Sequence, residues 1–470
     1  MDQTTALWLA GCLLAVLPHP VGARPLATIV QTQSGAVRGA AEAGVMTWKG
    51  IPFAASPTGA WRWRAPRPPK PWKGLRPATE YRSDCMQQAA AGDAAPAGVP
   101  PAEDCLYANI WRPAGAVGKL PVIVWIYGGA FVNGGASSPV FSGESLARKG
   151  ILFFSFNYRV GRFGTFAHPA LTRVGADKGQ LGNYGYMDQL AALRWVKRNI
   201  AAFGGDPDNV TLMGESAGGV SVLNWLTSPA GKGLFHKAVV MSGGDGTLLN
   251  GGYQLRTEEQ AGLAFAATKG IAERGLHALT RLRALPSEAV VDGLNMHSMR
   301  GIVPRTYSPP FSDGKIAVPQ LAALRRGAFA RVPLIIGATS ADIGGRTGIM
   351  IAGARQLAGI ISGYGVPVYY YRFSYVAAAQ GKPEDGARHA TDVPYFLGNV
   401  TNRYTDKTTP RDVAVGDLIS SYIVNFGKRA SPNAPGLPHW PAVDSARAEI
   451  MDFNAQGEAV QGREPWIPAP

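Results

Sequence analysis

Gly214-Glu215-Ser216-Ala217-Gly218 decides the fold. It follows Asn209-Val210-Thr211-Leu212-Met213, which reads as a strand, and runs into Ala217 to Leu226, which reads as a helix. A Gly-x-Ser-x-Gly between a strand and a helix is the pattern of a nucleophile elbow. The turn is so tight that only Gly fits where other backbone approaches. It lifts the Ser hydroxyl above a sheet, with the N-terminus of the next helix beneath it. Ser216 is therefore the candidate nucleophile.

Strand and helix patterns alternate around this turn. Leu120 to Tyr127, Ile151 to Asn157, Ala238 to Ser242, Leu334 to Gly337 and Val366 to Phe373 read as strands. Tyr186 to Ala202 has helical spacing, with Leu190, Leu193, Trp195 and Ile200 near one stripe. Apolar strands without polar alternation, interleaved with helices, predict a mostly parallel central sheet covered by helices, an α/β fold. Upstream, Leu26 to Thr32, Gly35 to Arg38 and Val45 to Ile51 read as short strands, and Pro52 to Trp72 as a Pro/Trp-rich loop. Phe203 to Asn209, FGGDPDN, reads as a turn rather than a calcium loop. No repeat or linker divides residues 24–470, which are expected to form one domain.

The stretch Gly182 to Gly219, GNYGYMDQLAALRWVKRNIAAFGGDPDNVTLMGESAGG, resembles the type-B carboxylesterases, the family of para-nitrobenzyl esterases, liver carboxylesterases and cholinesterases. Glu103-Asp104-Cys105-Leu106-Tyr107-Ala108-Asn109-Ile110-Trp111 resembles that family's second motif. The resemblance runs from about Gly35 to Ala442. It implies an α/β-hydrolase fold and hydrolysis of small-molecule carboxylic esters through an acyl-enzyme, without a cofactor. It also implies a Cys85–Cys105 bridge and two buried ion pairs, Arg159 with Asp188 and Arg62 with Glu103.

A serine nucleophile needs a base and an acid, in the order Ser, acid, His for this fold. His168 precedes Ser216, His236 follows the nucleophile helix too closely, His277 and His297 lie in amphipathic helical text, and His439 sits in a Pro-rich loop. His389 lies in Gly386-Ala387-Arg388-His389-Ala390-Thr391-Asp392, after a late strand, and resembles the family's histidine loop. Its imidazole, with an ordinary pKa of about 6.5, takes and returns a proton near neutrality. Asp342, five residues beyond the strand end at Gly337, is the candidate acid. The family usually has Glu followed by Gly there, whereas here Ile343 intervenes before Gly344. Asp313 reads better as a turn residue, and Asp245 lies too near the nucleophile strand.

Tyr127-Gly128-Gly129-Ala130-Phe131 resembles the family's glycine loop. By position, Gly129, Ala130 and Ala217 supply the N–H donors of an oxyanion hole, each worth about 100–1,000-fold in rate. Glu215 and Ser242 match positions close to the triad. Only 46 residues, 343–388, separate Asp342 from His389. The family carries a longer helical segment there, so a shortened lid region is expected, with the missing part near Arg346 to Ile349.

Composition bounds the remaining classes. Of 470 residues, 46% are apolar and 17% charged, which suits a large core and excludes a disordered chain. Net charge is +14, yet no nucleic-acid module or basic run appears, and an Arg-rich composition needs no functional cause. No His, Cys and carboxylate spacing suits a metal. Ala6 to Leu17 is apolar but too short for a membrane span, and Val21-Gly22-Ala23 offers small residues for cleavage. Residues 1–23 are thus expected to be a signal peptide and the chain secreted or periplasmic. Cys12 resembles a lipoprotein anchor less well. Removal of the signal leaves Cys85 and Cys105, and an even count in an exported chain suggests one bridge. Two other readings are esterase action on polycarboxylate (anionic) esters, from the positive charge, and a non-catalytic binding protein on the same fold. Loss of the nucleophile marks such binding proteins, and Ser216 is present.

Overall fold

The computed structural model describes residues 28–90, 98–247, 255–301, 303–444 and 449–463. The expected signal peptide, Cys12 included, lies outside them. Eleven strands form the central sheet: β1 (Ala40–Glu42), β2 (Val45–Pro52), β3 (Tyr107–Pro113), β4 (Leu120–Ile126), β5 (Leu152–Phe156), β6 (Gly205–Glu215), β7 (Lys237–Met241), β8 (Leu334–Thr339), β9 (Val368–Phe373), β10 (Glu449–Phe453) and β11 (Ala459–Arg463). Their order is β11-β10-β9-β8-β7-β6-β4-β5-β3-β2-β1. The run from β10 to β5 is parallel, while β11 and β3 to β1 pair antiparallel. Ile29–Thr32, Gly35–Arg38 and Leu75–Pro77 make a separate small sheet.

The parallel strands are apolar because both faces are covered. Val122 to Ile126 of β4 and all of β5, β7, β8 and β9 are buried. The helices that matter for the site are α1 (Tyr184–Asn199), α2 (Ala217–Thr227), α3 (Leu255–Thr268), α4 (Leu276–Ala284), α5 (Ile351–Ser362) and α6 (Pro410–Arg429). On one face, Trp195 of α1 stacks on Phe154 of β5, with ring centroids 5.6 Å apart. On the other, Gly427 of α6 packs close to the sheet, where an added Cβ would sit 3.3 Å from Ile151 Cδ1 and 3.5 Å from Ile123 Cδ1 of β4. Trp225 of α2 donates to Gln189 of α1 at 2.9 Å, so the two helices are joined by a buried hydrogen bond.

Chain order reverses at β4. From β4 the chain goes to β5 on one side, then crosses to β6 on the other. Such a switch point opens a crevice at the C-terminal ends of the strands, where α/β proteins bind ligands. The Gly128–Ala130 loop leaves β4 there and Ser216 leaves β6 beside it.

One detail departs from expectation. The FGGDPDN stretch is not a simple turn: Gly204 is left-handed at φ 80°, Gly205 already pairs with Leu120, and the register shifts before Val210. It is a bulged strand entry. The connection after β8, where the shortened lid region was expected, is a built turn. Gly345 N–H donates to Asp342 O at 2.9 Å and Gly348 N–H to Gly345 O at 3.0 Å. A Cβ on Gly348 would fall 2.5 Å from the Gly344 carbonyl carbon, so the two glycines pack backbone on backbone. Cys85 and Cys105 are bridged, with an S–S distance of 2.06 Å, and both are fully buried.

Candidate active site

The elbow owes its shape to its glycines. A Cβ on Gly218 would sit 2.0 Å from Ile126 O at the end of β4, and one on Gly214 would sit 2.5 Å from the Gly218 backbone. Their absence lets β6 turn sharply against β4. Ser216 between them holds φ 54°, ψ −121°, a conformation that costs about 1–3 kcal/mol. Its N–H donates to Met241 O on β7 at 2.9 Å, which fixes the strained turn to the sheet.

Ser216 Oγ lies 2.9 Å from His389 Nε2, and His389 Nδ1 lies 2.6 Å from Asp342 Oδ1. The three sequence candidates therefore meet in one hydrogen-bonded chain. Asp342 is pinned on both oxygens. Oδ1 accepts from Ile343 N–H at 2.7 Å, and Oδ2 accepts from Ser242 Oγ at 2.6 Å and from the Thr339 hydroxyl at 3.0 Å. These bonds bring the shorter Asp side chain into reach of the imidazole. Its loop is tied to the histidine loop: Ala341 N–H donates to Ala387 O at 2.8 Å and Ala387 N–H to Ser340 Oγ at 2.9 Å.

The electrostatics follow from burial and carboxylates. Burial pushes the Asp342 carboxyl up, but hydrogen bonds from His389, Ser242 and Ile343 outweigh it and hold the group below its ordinary value. Burial pulls the His389 imidazolium down, but Glu215, Asp342 and Asp392 more than offset that and raise it to about 9. Glu215 Oε1 is 3.3 Å from His389 Nε2, with its side chain almost fully buried. Asp392 is wholly buried, and burial raises it to about 7, although its Oδ2 accepts from Tyr371 at 2.9 Å.

The glycine loop presses against this centre. A Cβ on Gly128 would sit 2.8 Å from Glu215 Oε2 and 3.0 Å from Ser216 Cβ. Gly129 (φ 103°), Ala130 (φ 54°) and Phe131 (φ 61°) all take positive φ, and Gly129 O accepts from Val132 and Asn133 N–H at 3.0 and 2.9 Å. A turn that presents successive backbone N–H groups can form a concavity that holds an anion. Ala217 opens α2, and its N–H is one of the helix amides without an i−4 carbonyl.

The other histidines lie elsewhere. His168 is buried, caps a short helix through Nδ1, and burial lowers it to about 4. His236 accepts from Val210 N–H midway along β6. His277, His297 and His439 are exposed. Asp313 accepts from Lys315, Ile316 and Ala317 N–H, as a turn residue does. Arg159–Asp188 (2.7 Å) and Arg62–Glu103 are the ion pairs expected. Sequence reading missed Thr339, whose hydroxyl shares Asp342 with Ser242, and gave Asp392 no partner. Among the described residues, no His, Cys or carboxylate cluster could hold a metal, and no helix is long and apolar enough to cross a membrane.

The carboxylesterase family model matches residues 26–348 and 345–464, two pieces that meet in the short connection after β8. The chain is 32% identical to para-nitrobenzyl esterase of Bacillus subtilis (strain 168) over 480 residues, covering 91% of this chain and 95% of that one. It is 31% identical to fumonisin B1 esterase of Sphingopyxis macrogoltabida, covering 92% and 87%, and 30% identical to cocaine esterase of Homo sapiens, covering 94% and 91%. A solved PNB esterase structure superposes with a TM-score of 0.81 at 31% identity, over 93% of this chain and 98% of that one. With these matches spanning nearly the whole α/β-hydrolase fold, the chain belongs to the carboxylesterase family and is a carboxylic ester hydrolase.

Proposed function

We propose that Ser216, His389 and Asp342 carry out ester hydrolysis as nucleophile, base and orienting acid. The observation that carries this reading is the unbroken chain Ser216 Oγ, His389, Asp342 at 2.9 and 2.6 Å. His389 Nε2 takes the hydroxyl proton as Oγ attacks the ester carbonyl carbon. The carbonyl oxygen becomes an oxyanion, held by the N–H groups of Gly129, Ala130 and Ala217. The intermediate collapses, the imidazolium returns the proton to the leaving alkoxide, and an acyl-Ser216 remains. Water, deprotonated by His389, repeats the sequence and releases the acid. Asp342 fixes the imidazole tautomer and stabilises the imidazolium without taking its proton.

An organophosphate is expected to label Ser216, and Ser216→Ala is expected to lose about 10⁴-fold or more in kcat/KM on a short aryl ester. Labelling of another serine, or full turnover by the variant, overturns the assignment. The substrates proposed are small neutral esters. The second reading, anionic esters, draws on the net charge and on Arg388, which is exposed and adjoins His389.

We also propose export with cleavage after Ala23 and one bridge. Intact mass of secreted protein is expected to show loss of residues 1–23 and of two hydrogens. Retention of that segment, or two thiols alkylated without reduction, argues against it.

A further inference from the structure

Away from the catalytic loops, a groove of about 180 Å³ lies between the Ala65–Pro68 stretch and the outer face of α1. Met187 and Leu190 of α1 and Ile316 form a buried apolar floor. Arg67, Arg194 and Arg198 stand exposed around it, and no acidic residue lines it. Leu190, Arg194 and Arg198 fall four residues apart, on one stripe of the helix.

A solvated basic helix face would normally be laced with carboxylates, and here two acids close in sequence to the lining are engaged by other cations. Asp177 is held by Arg64 at 2.9 Å, and Asp208 by Lys197 at 2.6 Å. The cations are also partly ordered already. Arg67 stacks over Trp61, 2.9 Å from the ring centroid, and Arg198 Nε donates to Gln33 at 3.0 Å. Three like charges around an apolar floor repel one another, and an anion placed among them relieves that repulsion. The partly exposed walls at Ala65, Pro66 and Ala191 gain in turn from a hydrocarbon body. A cavity of roughly 150 Å³ is enough for an aromatic ring.

We propose that this groove binds an amphiphilic monocarboxylate, a single carboxylate on a short alkyl or aryl body. The apolar part lies along Ala65, Pro66 and Ala191, over the buried floor, and the carboxylate is held by Arg194 and Arg198. Guanidinium groups suit this role because their paired N–H donors match a carboxylate. The site rests on its own shape and charge and does not depend on the assignment of Ser216. It also has a source of ligand at hand, because every turnover of a carboxylic ester releases a carboxylic acid.

The test is equilibrium dialysis of radiolabelled octanoate against the full chain, with butyrate and octylammonium as controls. Two variants alter the groove without touching the catalytic loops: Arg194→Glu with Arg198→Glu reverses the charge, and Ala191→Trp fills the wall. Thermal melts establish that each is folded. The expected result is loss of one bound octanoate per chain, or at least about a tenfold weaker Kd for it, in both variants. kcat/KM for a small neutral ester is expected to stay within about twofold of the parent. Butyrate is expected to bind markedly more weakly and octylammonium not at all. Unchanged octanoate binding in both variants overturns the proposal. Equal binding of butyrate, which would make the groove a bare charge site, overturns it as well, as does binding of octylammonium.

Discussion

Glu215 sits between two demands on His389. Its carboxylate, 3.3 Å from Nε2, favours the imidazolium that forms during attack, and in the resting enzyme it also holds the imidazole protonated to higher pH. The base works only when neutral, so activity rises with pH through the His389 pKa. That midpoint is expected above the ordinary value of about 6.5. Glu215→Gln removes a negative charge, and the acidic limb of kcat/KM is expected to move to lower pH while the maximal rate falls. A pH profile of wild type and variant checks both, and an unmoved limb refutes the coupling. Stability carries the opposite sign. The folded pKa is raised, so protonated His389 stabilises the fold below about pH 6.5, and this contribution fades as pH climbs toward about 9. At this scale Ser216 and His389 were legible because a local motif and chain order single them out. Thr339 and the Tyr371–Asp392 contact were not, because a hydroxyl at a strand end and a Tyr one strand away acquire meaning only through space.

The elements show the same division. The parallel strands were legible from unbroken apolar runs such as LPVIVWI and LIIGAT. Glu449–Phe453, Ala459–Arg463 and Ala40–Glu42 were not, because short strands at or near a sheet edge keep polar residues and lack that run. The helix α1 supplies a further prediction. Asp188, wholly buried on it, receives Arg159 Nε at 2.7 Å, Nη2 at 2.8 Å and the Arg159 N–H at 3.0 Å. This pair clamps the loop after β5 to the helix that backs α2. Arg159→Met is expected to cost about 3–5 kcal/mol in urea unfolding, because it strands a buried carboxylate. Arg159→Met with Asp188→Leu is expected to regain much of that loss. A single variant as stable as the parent would mean that Asp188 is already neutral without its partner.

For the whole molecule the open question is whether its charge selects substrates. The net charge is +14, and it rises to +15 if residues 1–23 are removed, since they hold Asp2 and no Lys or Arg. A uniform positive field concentrates anions everywhere over the surface, but only charge focused at the catalytic mouth raises kcat/KM for an anionic ester. Two arginines flank the catalytic residues in sequence, and the fold separates them. Arg388 is exposed beside His389. Arg346 instead lines, with Arg372 and Arg463, a cleft of about 620 Å³ on the β9 to β11 side of the acid and histidine loops, where Glu384, Asp385 and Asp452 match the three cations in number. That leaves one exposed cation adjoining His389 where two were expected from sequence, and one exposed charge is screened within about 10 Å at 0.1 M salt. The neutral-ester reading follows. Between low and high ionic strength, the ratio of kcat/KM for an anionic ester to that for its neutral analogue is expected to change less than about tenfold, the lower bound for steered association. Stopped-flow or initial-rate measurements on such a pair decide it. A steeper fall with salt, abolished by Arg388→Gln, would overturn the neutral-ester reading and assign the enzyme to carboxylate-bearing esters.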